Sequence, residues 1–520
     1  MMMHKALGID ISTQSVTAIV LDPFLGELVC REQIYFGSDF PERSHPEGYI
    51  KYDRYELECD EMHADPLLWL DAIEMVLDRL SKSMDLSCIQ AVSVSGQQHG
   101  SVYLTEGFVD AISDVNLDTP MSQQIAPFLS RRTSPIWMDN STSQECREIS
   151  SALGGDLNVC RITGSVATCR FTGPQIRKFA KRNPEKWTLT HRIHLVSSFI
   201  TSVLAGVDSP IDIGDAAGMN LMDINTFDWS QEALNATADD FCSKLPQICY
   251  STSVIGSISS YFSGRYGFSK SCKVVVGTGD NPSSLVGVGG AQSGTHVLSL
   301  GTSDTLFSAM DSVCTDPEGF GHVFGNPLGG VMSLLCFRNG ALARDVVRKE
   351  AACGDWAEFS AAIESSPPAV NVFLPIEVDE ITPKRQKGRI YACSMPHNLE
   401  MPRASVEGQI LNIKIHSKWI NCVAKKIILT GGASQSDSIA QIVSDIFGLP
   451  VYRIVVSDSA ALGAAMRAAH TGLGVSIETL VDLFSTPVSG VIMPNLSFTS
   501  AYASLEDKLK RALLEPRNKL

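Results

Sequence analysis

Apolar runs that end in glycine or in small polar residues recur along the chain. In the first half they cover residues 6–10, 15–22 and 89–96, and in the second half residues 296–303 and 425–432. Short apolar runs bounded by turn-forming residues are typical of buried strands. The sequence therefore predicts a strand at each of these places.

Two segments show helical spacing instead. Asp65 and Pro66 open the first, because Asp is a favoured N-cap and Pro is favoured at the first helical position. Apolar residues then recur on one face over residues 67–80. A second helix is predicted over residues 439–446, between one strand and another at residues 451–456. This alternation of strands and helices predicts the α/β fold class.

One long segment shows neither pattern. Residues 106–135 are polar and irregular, which is typical of loops that run over a protein surface. We therefore expect a surface insertion there.

A carboxylate follows one strand directly. The apolar run at residues 273–276 ends in Gly277-Thr278-Gly279, and Asp280 comes next. Because glycines let the backbone turn tightly, we expect Asp280 in a turn at the strand end. A carboxylate held there is suited to act as a general base. The alternative is an aspartate that only stabilises the turn, the usual role of an isolated one.

Two hydroxyl-rich turns resemble each other. Residues 10–16 and 300–306 each follow an apolar strand, and each could place backbone N–H groups and hydroxyls around a phosphate. Alone, either is more simply a hairpin turn. One copy in each half of the chain favours a duplicated fold that holds a nucleotide between its halves.

Common nucleotide-binding motifs are absent from the sequence. It contains no GxxxxGK[ST], and Pro282 stands where GxGxxG needs its third glycine. Gly431 and Gly432 lie between a predicted strand and helix, where a helix N-terminus favours an anion. A tight turn without a ligand explains this glycine pair equally well.

Composition narrows the class of protein. A chain of 520 residues predicts two large domains, and a net charge of −15 disfavours general binding to nucleic acid or to anionic membranes. Its 14 cysteines form no CxxC pair, which is typical of reduced thiols in a cytosolic enzyme. No apolar stretch is long enough to span a bilayer, and Asp10 does not suit a signal peptide. We expect a cytoplasmic protein; the alternative, a peroxisome-like organelle, comes from the terminal Asn518-Lys519-Leu520.

Longer stretches carry a resemblance to a known family. The sequence resembles the FGGY carbohydrate kinases, and within them the eukaryotic branch that phosphorylates D-xylulose. The resemblance implies two actin-like (ribonuclease H-like) domains with a catalytic cleft between them. It implies an N-terminal sugar-binding domain at 1–285, a nucleotide-binding domain at 286–475 and a helical segment at 476–520. The stretches that carry it are residues 8–15, 93–103, 135–142, 170–178, 195–199, 215–224, 279–285, 299–307 and 429–434.

The resemblance also implies roles for single residues. Asp280 matches the catalytic base and also contacts the sugar, and Asp10 matches the acid near the metal and the γ-phosphate. The other residues implied to bind the sugar are Gln98, His99, Arg170 and Asn281. Those implied to bind the nucleotide are Thr13, Gly301, Thr302, Ser303, Trp356, Gly431, Gly432, Ala433 and Ser436.

Two positions depart from the family pattern. Ser12 replaces the glycine that many members carry in the first phosphate turn, and Ser436 stands where close relatives have Asn. The second departure weakens one expected contact to adenosine.

The implied function is ATP- and Mg²⁺-dependent phosphorylation of D-xylulose to D-xylulose 5-phosphate. The expected partners are the sugar and ATP, and the protein is expected to be a monomer or a homodimer. One alternative is an FGGY kinase for ribulose, glycerol or another polyol. The other is a non-enzymatic actin-like ATPase, which has no reason to retain the sugar-binding stretches.

Overall fold

The structure is a computed structural model that describes residues 4–50, 57–58, 60–455, 457–488 and 490–515. The terminal Asn-Lys-Leu lies outside the described residues. The chain forms two compact units. Unit 1 comprises Met1–Ala291, Val323–Val331 and Ser457–Thr486, and unit 2 comprises Gln292–His322, Met332–Val456 and Pro487–Leu520. Among the described residues, no helix is both long and apolar enough to cross a membrane.

The strands in the described part of the chain are β1 (Lys5–Ile11), β2 (Ser15–Asp22), β3 (Glu27–Tyr35), β4 (His63–Ala64), β5 (Ile89–Gly96), β6 (Ser101–Thr105), β7 (Ser134–Pro135), β8 (Thr190–Leu195), β9 (Ile211–Asp212), β10 (Met222–Asp223), β11 (Asp228–Trp229), β12 (Ile248–Cys249), β13 (Val254–Ser257), β14 (Lys273–Gly279), β15 (Thr295–Leu300), β16 (Asp304–Met310), β17 (His322–Gly325), β18 (Val331–Phe337), β19 (Phe373–Ile376), β20 (Glu380–Ile381), β21 (Lys384–Arg385), β22 (Gly388–Tyr391), β23 (Lys426–Thr430) and β24 (Val451–Arg453).

The α-helices are α1 (Phe36–Asp39), α2 (Pro66–Ser83), α3 (Phe108–Ser113), α4 (Met121–Ile125), α5 (Ser143–Ala152), α6 (Asp156–Thr163), α7 (Thr172–Arg182), α8 (Pro184–Leu189), α9 (Val196–Ala205), α10 (Ile213–Ala217), α11 (Gln231–Thr237), α12 (Ser260–Tyr266), α13 (Asp280–Gly287), α14 (Ala341–Glu350), α15 (Trp356–Ser365), α16 (Met401–His416), α17 (Asp437–Phe447), α18 (Ser459–Arg467), α19 (Ile477–Phe484) and α20 (Thr499–Leu514).

Unit 1 is built on a mixed six-stranded sheet in the order β13-β14-β5-β1-β2-β3. β1 pairs antiparallel with β2 and parallel with β5. β2 and β5 have the bounds predicted from their apolar runs, and β1 is one residue longer at each end. All residues of β1 and β2 are buried, as expected for the centre of such a sheet.

Unit 2 repeats this arrangement. Five of its strands lie in the order β18-β16-β15-β23-β24. β15 pairs antiparallel with β16 and parallel with β23, as β1 does with β2 and β5. The two hydroxyl-rich turns therefore occupy the same place in each sheet, between the first strand and its antiparallel neighbour. The duplicated α/β fold predicted from these turns is confirmed.

Both predicted helices are present. α2 begins at Pro66, and the Asp65 carboxylate caps it by accepting a hydrogen bond of 3.0 Å from the Leu67 N–H. α17 extends two residues before and one after the predicted 439–446, and Gly448 in the left-handed region ends it.

The predicted surface insertion at 106–135 is wrong. The segment contains the short helices α3 and α4, and Phe108, Ile112, Met121 and Ile125 lie in the core of unit 1. Each helix is too short to show a helical repeat, so its apolar residues resemble isolated ones in the sequence.

The compact units are not continuous in sequence. α18 packs against β1 and α13, so residues 457–486 group with unit 1. A glycine allows this close packing, because a Cβ on Gly463 would lie only 1.8 Å from the Ser283 carbonyl oxygen. The two units are defined by which residues pack together. The predicted domains at 1–285, 286–475 and 476–520 are continuous ranges of the chain, and their boundaries stay a prediction.

Candidate active site

Asp280 begins a helix rather than occupying a turn. β14 continues through Gly279, and Asp280 is the first residue of α13. The expected turn is therefore wrong. Gly277 and Gly279 belong to the extended strand. Pro282 is tolerated because it lies in the first turn of the helix. Helix N-termini favour a negative charge, so this position suits a carboxylate.

Burial sets the proton affinity of Asp280. It raises the pKa of the half-buried carboxyl to about 6, although the N–H groups of Asn281 and Gln98 oppose the rise. A carboxylate with a pKa just below neutrality is mostly ionised at pH 7 yet takes up a proton readily. Asp280 therefore has the properties of a general base.

Asn281 and Gln98 hold this carboxylate. Asp280 Oδ1 accepts hydrogen bonds from the Asn281 N–H at 2.8 Å and from Asn281 Nδ2 at 3.0 Å. Asn281 Nδ2 also donates to Gln98 Oε1 at 2.8 Å. A side chain at Gly279 would displace this arrangement, since its Cβ would lie 2.5 Å from Gln98 Cγ. Three of the predicted sugar-binding residues thus form one hydrogen-bonded group.

His99 and Arg170 meet at an aromatic ring. The His99 imidazole stacks on Phe171 with centroids 4.1 Å apart, and its Nδ1 donates to the Gly218 carbonyl oxygen at 2.8 Å. The Arg170 guanidinium lies 5.8 Å from the centre of the same ring. Within the described residues, Arg170 makes no hydrogen bond or ion pair, which leaves its donors available to a ligand.

The His99 backbone is in an unusual conformation. Its φ is +72°, in the left-handed region that residues other than glycine rarely adopt. Such strain is commonly retained where function needs a side chain in one place. His99 directly follows Gln98, which hydrogen-bonds to Asn281. The conformation of His99 therefore places its imidazole against Phe171 next to the group around Asp280.

Asp10 is a second buried acid, at the end of β1. Its sheet neighbours are Thr17 and Ser95. Burial, together with the nearby charges of Asp280 and Asp458, raises the pKa of Asp10 to about 7, although the Ser95 hydroxyl opposes the rise. Within the described residues, Asp10 Oδ1 is buried and has no hydrogen-bond partner. A cation or a donor on a ligand would satisfy this oxygen.

The donors around Asp10 fit Mg²⁺ better than a metal caged by protein. Among the described residues, no group of three or more His, Cys, Asp or Glu side chains is arranged to hold a metal ion. Mg²⁺ is commonly held by one or two carboxylates together with phosphate oxygens and water. A single buried carboxylate beside a hydroxyl-rich turn matches that pattern.

The turn after Asp10 is closed by its own hydroxyls. Ser12 Oγ donates to the Ser15 carbonyl oxygen at 3.0 Å, so the serine that replaces the family's glycine stabilises the turn. Thr13 Oγ1 accepts a hydrogen bond of 2.7 Å from the Trp137 indole. Sequence reasoning missed Trp137, although it lies in one of the stretches that carry the resemblance.

Unit 2 contains a pocket of about 680 Å³, a size typical of small-molecule sites. Six predicted nucleotide-binding residues line it together: Gly301, Thr302, Trp356, Gly432, Ala433 and Ser436. Ser303 and Gly431 are their chain neighbours and are not among the lining residues, and Thr13 belongs to the turn of unit 1.

An aromatic ring and a hydroxyl border this pocket. Trp356 is the first residue of α15, and 48% of its surface is exposed. Ser436 caps α17 by accepting from the Ile439 N–H, and its Oγ lies 3.0 Å from Ser360 Oγ. The Ser436 hydroxyl is thus engaged in hydrogen bonds within the protein, as expected if it contributes little to binding adenosine.

A buried ion pair holds the second hydroxyl-rich turn, at residues 300–306, and sequence reasoning missed it. Both guanidinium Nη atoms of Arg344 donate to Asp304 at 2.8 Å, and Nη2 also donates to the Gly301 carbonyl oxygen at 3.3 Å. Burial raises the pKa of Asp304, and Arg344 opposes that rise. No local pattern links two residues 40 positions apart.

Asp215 was also missed. It is 2% exposed, lies in α10, and accepts a hydrogen bond from the Ser197 hydroxyl. Burial raises the pKa of its carboxyl well above the ordinary value, and the charges of Asp212 and Asp280 raise it further. Residues 215–224 carried the resemblance, but nothing in the pattern assigned a role to this acid.

Comparison with known proteins identifies the family. Residues 132–287 match the N-terminal domain of the FGGY family of carbohydrate kinases, and residues 296–472 match its C-terminal domain. The chain is 38% identical to a xylulose kinase of Rattus norvegicus, over 97% of this chain and 96% of the relative. It is also 38% identical to xylulose kinase 2 of Arabidopsis thaliana, over 96% and 92% of the two chains.

Solved structures show the same fold. The xylulose kinase of Rhodospirillum rubrum superimposes with a TM-score of 0.81 at 17% identity, covering 98% of each chain. The glycerol kinase of Plasmodium falciparum with ADP gives 0.77 at 17% identity, covering 99% of each. The predicted two-domain actin-like fold is confirmed.

Proposed function

The chain belongs to the FGGY family of carbohydrate kinases and is a sugar-phosphorylating enzyme, and from this premise we propose that it transfers the γ-phosphoryl group of ATP to D-xylulose. The product is D-xylulose 5-phosphate. The observation that carries the proposal is the hydrogen-bonded group of Asp280, Asn281 and Gln98, with a carboxyl whose pKa is about 6.

The choice of sugar rests on the relatives and on the available donors. Xylulose kinases are similar to this chain over nearly its full length. A ketose presents several hydroxyls, which planar amides, a guanidinium and an imidazole bind well. Gln98, Asn281, His99 and Arg170 supply those groups within unit 1.

Asp280 acts on the attacking hydroxyl. An Asp280 carboxylate oxygen accepts a hydrogen bond from the C5 hydroxyl of the sugar, which aims the oxygen at the γ-phosphorus. The new O5–P bond forms as the bond between the γ-phosphorus and the β,γ-bridging oxygen breaks and ADP departs. The hydroxyl proton passes to Asp280, which its raised pKa favours.

Asp10 and the two turns serve the phosphates. Asp10, with its unpaired buried oxygen, is the residue that would hold Mg²⁺, directly or through water. When bound, Mg²⁺ supplies charge neutralisation to the phosphate oxygens. The pocket lined by Trp356, Gly432 and Ala433 receives the adenosine moiety.

A substrate panel tests the proposal. Purified protein with ATP and Mg²⁺ is offered D-xylulose, D-ribulose, glycerol and common aldoses, and ADP release is measured with each. We expect the highest kcat/KM with D-xylulose and a product phosphorylated at C5. A Mg²⁺ titration of wild type and Asp10→Ala follows, and we expect the variant to need more Mg²⁺ and to turn over more slowly.

Other outcomes identify the alternatives. A higher kcat/KM with glycerol or D-ribulose would assign a different substrate within the family. ADP release unaffected by every sugar would favour the non-enzymatic ATPase. Unchanged Mg²⁺ dependence in Asp10→Ala would leave Asp10 as a turn residue. The cytoplasmic location and the monomer or homodimer state stay predictions.

A further inference from the structure

Asp215 lies close to the hydrogen-bonded group of Gln98, Asn281 and Asp280, although the proposed reaction gives it no role. A Cβ built on Gly279, the residue before Asp280, would lie 2.9 Å from Asp215 Oδ1. The same Cβ would lie 2.9 Å from Gln98 Nε2. The two polar atoms therefore lie close to the same point.

These atoms are chemically complementary. Asp215 Oδ1 accepts hydrogen bonds and Gln98 Nε2 donates them, and within the described residues each is buried without a partner. Because a buried polar atom without a partner is unfavourable, a hydrogen bond between the two would stabilise both.

Local folding does not require this acid. The N-terminus of α10 is capped by Asp212, which accepts hydrogen bonds from the Gly214 and Asp215 N–H groups at 3.2 and 3.0 Å. The buried Arg467 nearby donates instead to Ser93 Oγ and to the carbonyl oxygens of Ser251 and Val276. A buried carboxyl is costly where packing alone is needed, which favours a functional reason for Asp215.

Contacts lead from Asp215 to the base. The Ser197 hydroxyl donates to Asp215 Oδ2 and holds that end of the carboxyl. At the other end, Gln98 Oε1 accepts from Asn281 Nδ2 at 2.8 Å, and Asn281 donates to Asp280. Once its Nε2 is engaged by Asp215, the Gln98 amide has a single orientation, with Oε1 toward Asn281.

We infer that Asp215 is a positioning residue for Asp280, acting through the Gln98 amide and Asn281. Ser197 fixes Asp215, Asp215 orients Gln98, Gln98 orients Asn281, and Asn281 holds the Asp280 carboxylate toward the attacking hydroxyl. The inference rests on the proposed function, because it assigns Asp280 as the base.

Substitutions at Asp215 test the inference. Asp215→Ala removes the acceptor, and because a displaced catalytic group can cost about 10²-fold, we expect kcat to fall by up to that amount. The KM for ATP should not change. Asp215→Asn keeps a carbonyl for Gln98 and gains an amide that can donate to Ser197 Oγ, so it should recover much of the activity lost in Asp215→Ala.

A double-mutant cycle separates positioning from a general loss of stability. If Asp215 acts through Gln98, then Asp215→Ala combined with Gln98→Ala should lose no more kcat than the worse single variant. Asp212→Ala is the matched control, since it removes a buried aspartate from the start of the same helix without touching Gln98. It should lower Tm and reduce kcat less than Asp215→Ala does.

Three results would overturn the inference: wild-type kcat in folded Asp215→Ala, equal loss in the Asn and Ala variants, or additive losses in the cycle. Inactivity of the wild-type enzyme toward D-xylulose contradicts the proposed function instead, and the cycle is then run with the sugar that is turned over. Crystal structures give a readout that needs no substrate. Wild type should show Gln98 Nε2 within hydrogen-bonding distance of Asp215 Oδ1, and Asp215→Ala should lose the contact between Gln98 and Asn281.

Discussion

The two units carry related sheets but differ in whether the acids at and around the hydroxyl-rich turn are held in ion pairs. In unit 1, burial raises the pKa values of Asp10, Asp215 and Asp280, and no described ion pair neutralises any of the three. In unit 2, Asp304 lies at the matching turn and is paired through two hydrogen bonds with Arg344. Asp10 in the first hairpin of unit 1 thus has no ion-pair partner among the described residues, whereas Asp304 in the matching hairpin of unit 2 is neutralised by Arg344.

This difference in ion pairing suggests that unit 1 carries the phosphoryl-transfer chemistry and that the unit 2 pocket binds the nucleotide. Acids whose pKa values lie near 7 can exchange protons or meet a cation, which suits the reacting end of a phosphoryl transfer. The unit 2 pocket has Arg344 as the only charged residue among those lining it, and Arg344 is already paired. Substitutions in unit 1 should therefore change kcat or sugar binding, and substitutions in the unit 2 pocket should change nucleotide binding.

The largest expected effect is at Asp280. Asp280→Asn keeps the size of the side chain but cannot accept the proton, so we expect kcat to fall by about 10²–10⁴-fold. Binding of D-xylulose, measured by calorimetry, should persist. Asp156→Asn is the matched control, because Asp156 also begins a helix of unit 1 and is exposed. Turnover of folded Asp280→Asn within a few-fold of wild type would mean that the base lies elsewhere.

Arg170 should affect the sugar rather than the nucleotide. Its guanidinium has no polar partner among the described residues and lies beside Phe171, so its donors are available to hydroxyls of the substrate. Arg170→Ala should cost roughly 1–3 kcal/mol, which is about a five- to 150-fold loss of kcat/KM for D-xylulose. Steady-state kinetics with each substrate varied in turn measure this. A higher KM for ATP with unchanged sugar kinetics would contradict the assignment.

The pH profile tests the proton affinity of the base. Burial disfavours the charged form of Asp280, so its carboxyl takes up a proton as the pH falls through about 6. A protonated base cannot accept the substrate proton, and kcat/KM should fall about tenfold per pH unit below that value. Asp10, whose pKa is raised to about 7, titrates close by. The residual activity of Asp280→Asn should lack the limb due to Asp280 and retain any limb due to Asp10.

The hydrophobic pattern of the sequence predicted the elements whose own residues show a clear strand or helix pattern. β2 and β5 were predicted with their observed bounds because each is a segment of ordinary strand length that is rich in Val, Ile, Leu and Ala and bounded by polar or turn-forming residues. The start of α13 was missed because two glycines and Pro282 resemble a turn, whereas that proline fits the first turn of a helix. The short helices within 106–135 were missed because they bury only a few residues each.

The site divides in the same way. Asp280 could be singled out from its place after a strand, but the roles of His99, Arg170 and Trp356 came only from the family resemblance. The partners that tune the site were not predictable, because they are distant in sequence. Arg344 pairs with an acid 40 residues away, and Asp215 approaches Gln98 only through the packing of α10 against β14.

The smallest expected effect is at Trp356, and it tests the other half of the comparison. The indole borders the unit 2 pocket and is half exposed, so it can stack on an adenine base without being required for folding. Aromatic stacking contributes about 0.5–1.5 kcal/mol, and Trp356→Ala should raise the KM for ATP by roughly two- to tenfold with little change in kcat. Trp356→Phe keeps a ring and should lose less.

Equal nucleotide affinity in wild type, Trp356→Ala and Trp356→Phe, measured by calorimetry with ADP, would remove Trp356 from the binding site. A fall in kcat at saturating ATP would instead show that unit 2 contributes to the chemistry, and the division between the two units would fail.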